Sequence, residues 1–222
     1  MAKQGSEEKF DNLSTAPDRQ HVDHKDLSQQ AEFLLKRATK LFREDNLEEA
    51  LHVFEESISK QKSSQNINDQ LTVARTFNNI GVIYKRMRHL DKAMDAYTQS
   101  LHIREEQLGH DHPDLIATLS NIGSIFVDLR ELEKAMNYFE EAKRVAIIAF
   151  SKDHVTFANI LNNIGYLRDL RGEFDLAIED YKTALRIYIS AGKYETDPVV
   201  EGTIRNIRQV LYRKKMIASH LK

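Results

Sequence analysis

The chain has 222 residues, 41% hydrophobic and 30% charged, with a net charge of −2 at pH 7. That is enough apolar content for one core-bearing domain, and the charge balance argues against a protein built around nucleic-acid phosphates. With no cysteine there is no disulfide framework, and the longest apolar run, residues 145–150, is far short of a membrane span.

Residues 1–27 are polar, with Phe10, Leu13 and Val22 as the large apolar side chains. Such a stretch buries too little to offset its ordering entropy, so it reads as a disordered tail, with residues 10–13 as a candidate docking segment. It has neither an apolar signal core nor the Arg-rich, acid-poor character of a transit peptide, and the expectation is an intracellular, cytoplasmic protein. The rest, 28–222, reads as helical hairpins. The first, over about 31–68, is degenerate: Ala38, Leu41, Ala50 and Phe54 hold the pattern, and Ser28 is a candidate N-cap. Residues 62–70 read as a joint.

The second hairpin, about 74–110, is the clearest. Phe77, Ile80, Gly81 and Tyr84 share one helical face, and Leu90, Ala93, Met94, Tyr97 and Leu101 share another, with a tight turn at Arg88-His89. The unit returns at intervals of 42 residues, as Gly81, Gly123, Gly165 and as Ala93, Ala135, Ala177. This predicts further hairpins at about 116–152 and 158–194. The joint His110-Asp111-His112-Pro113-Asp114 has the look of a metal cluster. However, Asp69, Asp111 and Asp153 recur with the scaffold, which favours helix capping by Asp111 or His112. A last helix, 198–218, carries Val200, Ile204, Ile207 and Leu211 on one face and no second helix after it, as a solenoid cap should. Its charges beyond Glu201 are all basic. They read as a solvated face, or alternatively as a patch for an acidic partner.

The order Phe77, Ile80, Gly81, Tyr84, Ala93, Tyr97, repeated as Leu119, Ile122, Gly123, Phe126, Ala135, Phe139, Ala142 and as Leu161, Ile164, Gly165, Arg168, Ala177, Tyr181, Ala184, resembles the tetratricopeptide repeat (TPR). Arg168 departs from the usual aromatic. The ordinary period is about 34 residues, and the 42-residue version resembles kinesin-light-chain-type repeats. The resemblance covers roughly 31–212. It implies an all-α, right-handed superhelix of four hairpins and a capping helix, with the first helix of each pair lining a concave groove. The groove positions it implies are Arg75, Asn78, Asn79, Val82, Lys85 and Arg86 in the second repeat. In the third they are Ser120, Asn121, Ser124, Val127 and Asp128; in the fourth, Asn159, Asn162, Asn163, Tyr166 and Asp169; Arg205 and Asn206 come from the cap. Asn79, Asn121, Asn163 and Asn206 form a row of amides able to pair with an extended backbone, or to brace neighbouring helices. The charges suggest a polarised groove that favours an acidic end toward the second repeat.

There is no phosphate-cradling glycine loop, no G-x-S-x-G and no His-Glu-x-x-His. The expectation is no enzyme, no metal and no cofactor. The expected function is an adaptor or scaffold that binds an extended or helical peptide of a partner protein in the groove. Small molecules, nucleic acid and membrane insertion are not expected. The alternative is a structural subunit of a cytoskeletal, ciliary or motor-associated assembly.

Overall fold

The computed structural model describes residues 24–61 and 66–220, and among these every regular element is a helix. They are α1 (His24–Arg43), α2 (Leu47–Gln61), α3 (Ile67–Arg86), α4 (Leu90–Leu108), α5 (Leu115–Asp128), α6 (Leu132–Ala149), α7 (Val155–Leu170), α8 (Phe174–Ser190) and α9 (Pro198–His220). α1 pairs with α2, α3 with α4, α5 with α6 and α7 with α8. Each pair stacks on the next, and α9 closes against α8. The candidate docking segment at 10–13 lies outside the described residues.

Two helix starts differ from the sequence reading. α1 opens at His24, so Ser28 lies inside a helix and does not cap it. Its hydroxyl donates instead to Asp69 Oδ1 (2.7 Å), to which the Gln61 amide also donates (3.0 Å). α3 opens at Ile67, inside the expected joint, because Asn66 caps it by accepting from the Asn68 N–H at 2.8 Å. Leu71 stands where Pro113 stands one repeat later. A proline disfavours helix in the residue before it, so only the later helix is held to a late start. Asp69 is thus a buried tie among α1, α2 and α3, whereas Asp111, in the same register, is exposed and pairs with Arg144 at 2.7 Å.

The turn inside each hairpin has one design. Asp45, Arg88, Arg130 and Gly172 all take positive φ, between 63° and 78°. After each, the next N–H reaches back five residues to a helix carbonyl, as His89 to Tyr84 and Glu131 to Phe126, both at 2.9 Å. This is the Schellman arrangement, which satisfies the last carbonyls of the first helix and reverses the chain within three residues.

The second, third and fourth hairpins each close on a glycine facing an aromatic ring. A Cβ on Gly81 would lie 2.6 Å from Tyr97, on Gly123 2.7 Å from Phe139, and on Gly165 3.0 Å from Tyr181. These rings are buried, with Ala93, Ala135 and Ala177 fully enclosed beside them. The small residues therefore do two jobs. The glycine receives the ring, and the alanine lets the second helix approach.

One ring carries a defect. The Tyr181 hydroxyl is buried with no hydrogen-bond partner among the described residues, and burial pushes its pKa up, with Asp169 adding to the effect. Phe139 fills the same position one repeat earlier without a hydroxyl. Tyr181→Phe should therefore raise stability by about 1 kcal/mol, the cost of an unsatisfied buried polar group. Urea denaturation of the two proteins side by side would show the midpoint move up.

Candidate functional site

The first helices of successive hairpins, α3, α5 and α7, line a groove of about 900 Å³. Its walls bear amides and hydroxyls: Asn68 and Thr72 on α3, Ser120 and Asn121 on α5, and Asn159 and Asn163 on α7. Two guanidiniums face it, Arg75 from α3 and Arg104 from α4. Phe150, at the end of α6, supplies an aromatic wall and is stacked on His154 (centroids 4.3 Å apart, planes at 10°).

Of the residues expected from the sequence, Arg75, Ser120, Asn121, Asn159 and Asn163 meet in this cavity. Others are committed to braces. Asn78 Oδ1 accepts from Asn121 Nδ2 (3.1 Å) and from the Thr118 hydroxyl (3.3 Å), and Asn162 Oδ1 accepts from the Thr203 hydroxyl (3.4 Å). The Tyr188 hydroxyl donates to Asn159 Oδ1 at 2.7 Å. The expected groove amides therefore divide. Asn78 and Asn162 tie one repeat to the next, and Asn121 gives one N–H to the same tie. Asn79, Asn163 and Asn206 have no side-chain hydrogen bond among the described residues. Val82 packs against the cluster of Ala93, Tyr97, Ile122 and Ile125, Val127 is buried, and Tyr166 is 46% exposed.

The expected polarity of the groove is largely cancelled within the chain. Lys85 donates to the Ser124 hydroxyl (2.6 Å) and pairs with Asp128 (3.5 Å), which Arg88 also approaches (3.7 Å). Arg86 turns away to Asp45 (2.7 Å) and covers the Phe42 ring. Asp169 is buried beneath Arg213 of α9, and Arg205 pairs with Glu201 (3.2 Å). Lys214 pairs with Asp175. The basic cap is thus in part a set of ties to the fourth hairpin, because α9 lays its cations over the acidic residues of α7 and α8.

The charged residues that line the cavity are Asp114 and, outnumbering it, the guanidiniums of Arg75 and Arg104. Neither guanidinium has a carboxylate within 4.0 Å among the described residues. Arg104 Nη1 donates to the Asp114 carbonyl (2.7 Å) and the Thr118 hydroxyl (2.6 Å). Burial lowers its pKa, Asp114 opposes that, and nearby Arg75 lowers it further. Arg104 and Phe150 escaped sequence reasoning because they lie on second helices. The one available signal was the 42-residue period, whose extra turns carry the ends of α4 and α6 to the groove. At the joint, His112 Nδ1 accepts from the Asp114 N–H and His154 Nδ1 from the Thr156 N–H, both at 3.2 Å. His154 thus caps α7, whereas α5 starts after Asp114 with no side-chain cap, so His112 closes a turn and, contrary to the sequence reading, neither it nor Asp111 caps the helix. Among the described residues no group of His, Asp and Glu is arranged to hold a metal, and no helix is long and apolar enough to cross a membrane.

Residues 72–148 and 158–195 match models of the tetratricopeptide repeat. The chain is a tetratricopeptide repeat protein. Its fold is that family's all-α superhelix, and it is similar to BtubC (BKLC) from P. vanneervenii, with TM-score 0.69, 20% identity, and 90% of this chain and 84% of that one covered. The apo form of RapI aligns with TM-score 0.70 and 17% identity over 86% of this chain and 66% of its own. A Podosopora anserina protein of nearly identical, kinesin-light-chain-type TPR-like repeats aligns with TM-score 0.65 and 13% identity over 88% and 90%. At these identities the likeness is one of fold. No curated protein matches the chain. The tetratricopeptide fold is a scaffold for protein–protein contact, and its stacked hairpins present an extended concave surface.

Proposed function

We propose that this tetratricopeptide protein is a non-catalytic adaptor that holds an extended or helical segment of a partner protein in the groove. The observation that carries this is the pair Arg75 and Arg104. Two guanidiniums line one cavity against a single carboxylate residue, Asp114, which pairs with neither within 4.0 Å, and a cation that a bound segment takes out of water needs an anion near it. An acidic side chain of the bound segment, lying toward the second repeat, meets that need. Asn163 and the free half of Asn121 can then pair with its backbone, since an amide both donates and accepts. Phe150 and Ile160 offer an apolar contact beside them. In this reading the protein works in the cytoplasm.

The test is a variant carrying Arg75→Glu and Asn163→Ala, which spares the bracing amides. Compared with wild type in a pull-down from native lysate read by mass spectrometry, it should lose at least about tenfold of a small set of proteins, with helicity unchanged by circular dichroism. The residual binding should also weaken with salt. If the same proteins co-purify with both forms, the groove is not the binding site and the chain is a fixed subunit held by its other faces.

A further inference from the structure

The hairpins differ at one pair of outward positions, and the difference leaves a hole. In the third repeat Tyr138 of α6 stacks on Phe126 of α5, with centroids 5.4 Å apart and planes at 18°. The Lys134 ammonium sits 5.3 Å from the Phe126 ring, and Tyr138 packs in the cluster that holds Leu101 and Ile122. The fourth repeat fills the same place with an ion pair, Arg168 to Asp180 at 2.6 Å. The second repeat has the same floor, Tyr84 with Lys92 at 5.4 Å from its ring. However, Ala96 stands where Tyr138 does.

The result is a slot of about 400 Å³ over Tyr84, walled by Ile58, Phe77, Ile80 and Ala96. It lies across α3 from the groove. Each helical residue turns by about 100°, which sets Phe77, Ile80 and Tyr84 opposite Leu71 and Arg75. The chain itself shows what fits this floor, since its own third repeat closes it with a phenol. The rim supplies the second argument. Glu55, Asp95 and Lys92 border the slot, two carboxylates against one ammonium, and neither carboxylate has a cation within 4.0 Å among the described residues. Burial raises the Tyr84 phenol pKa, and Glu55 is near enough to add to it. An apolar, aromatic-floored slot with unpaired carboxylates on its rim favours a ring whose neighbours are basic.

We propose that this slot is a docking site for an aromatic side chain of a partner protein segment that carries basic residues beside the aromatic. The site is separate from the groove and does not depend on it.

The experiment is a titration of the ¹⁵N-labelled full chain with the peptide Ac-Lys-Tyr-Lys-NH2, followed by NMR. Shifts should concentrate at the amides of Ile58, Phe77, Tyr84 and Ala96. Ac-Lys-Ala-Lys-NH2 and Ac-Glu-Tyr-Glu-NH2 should each bind at least about tenfold more weakly. Ala96→Tyr, which rebuilds the third-repeat stack, should fold and abolish the shifts; should it not fold, Ala96→Leu blocks the slot with a smaller side chain. The proposal is overturned if no shift appears at these amides up to about 10 mM peptide, if the Glu peptide binds as well as the Lys peptide, or if binding survives the blocking substitution. It is also overturned if the wild type refuses the peptide and Phe10→Ala accepts it, because the occupant is then the chain's own Lys9-Phe10 segment.

Discussion

Replacing Phe139 by alanine should lower stability by about 3–5 kcal/mol, the usual cost of emptying a large aromatic site in a packed core. The ring is 2% exposed and sits over Gly123, at the centre of the third hairpin. Its removal opens a gap between α5 and α6 that neither helix can close, since the alanines Ala135 and Ala142 beside it are already fully buried. The thermal midpoint should fall by about 6–20 °C for a chain of this size. A second substitution tests the cause. In the wild type, Gly123→Ala puts a methyl 2.7 Å from the Phe139 ring. The overpacking should outweigh the gain of about 1 kcal/mol in helix propensity. In the Phe139→Ala background the ring is gone, so the same Gly123→Ala should stabilise by about 1 kcal/mol. A sign change between the two backgrounds, read by urea denaturation, would establish that the glycine is there to receive the ring. The same sign in both would remove that explanation.

Arg168→Phe should also cost about 3–5 kcal/mol, although it restores the aromatic residue that the repeat ordinarily carries there. Asp180 is 9% exposed, and Arg168 donates to its Oδ2 at 2.6 Å. Removing one partner of a buried pair leaves an uncompensated charge. Adding Asp180→Tyr should recover most of the loss, because Phe with Tyr at these two positions is the stack already seen at Phe126 and Tyr138. Replacing both charges by well-packed apolar groups is often neutral or stabilising. Acidity gives an independent reading. Burial raises the Asp180 pKa to about 6, and Arg168 opposes the shift. The folded value lies above the unfolded one, so the ionised carboxylate destabilises the fold above about pH 6, and that cost is relieved as the pH falls from 7 toward 4. The deficit of Arg168→Phe should therefore shrink between pH 7 and pH 5, whereas the double variant should show no such dependence from this site.

Much of the fold was legible because the repeat writes itself into local sequence. Gly81, Gly123 and Gly165 recur in register with their facing aromatics, and helical periodicity alone is enough to place two amphipathic faces around each turn. The turns were legible only as places. That Arg88 and Arg130 take positive φ, where glycine would be usual, has no sequence signal, because the return hydrogen bonds of the Schellman cap can hold a non-glycine residue there. The first helix starts were misplaced for a similar reason. Ser28 resembles a cap, but its hydroxyl is engaged by Asp69, 41 residues away.

The candidate site was legible in outline and not in its assignments. The family resemblance implied that first helices line the groove, and Arg75, Asn121 and Asn163, which it named, lie in the cavity between α3, α5 and α7. Which amides stay available does not follow. Asn78 and Asn79 are neighbours in the chain, and only the placement of Thr118 and Asn121 on the next hairpin binds the first and leaves the second. Charge behaves likewise. Lys85, Arg86, Asp128 and Asp169 look like a polarised groove when read in order, but side chains some 40 positions apart meet across the stacking of hairpins and cancel one another. Sequence by itself determined the repeat, its helices and its small-residue contacts, since these depend on spacings within a few turns. Only the tertiary structure decided which polar groups remain unpaired, that Arg104 and Phe150 reach the groove, and that Ala96 leaves a slot where Tyr138 fills one. Each of those depends on contacts between repeats, where distance in the chain says nothing about distance in space.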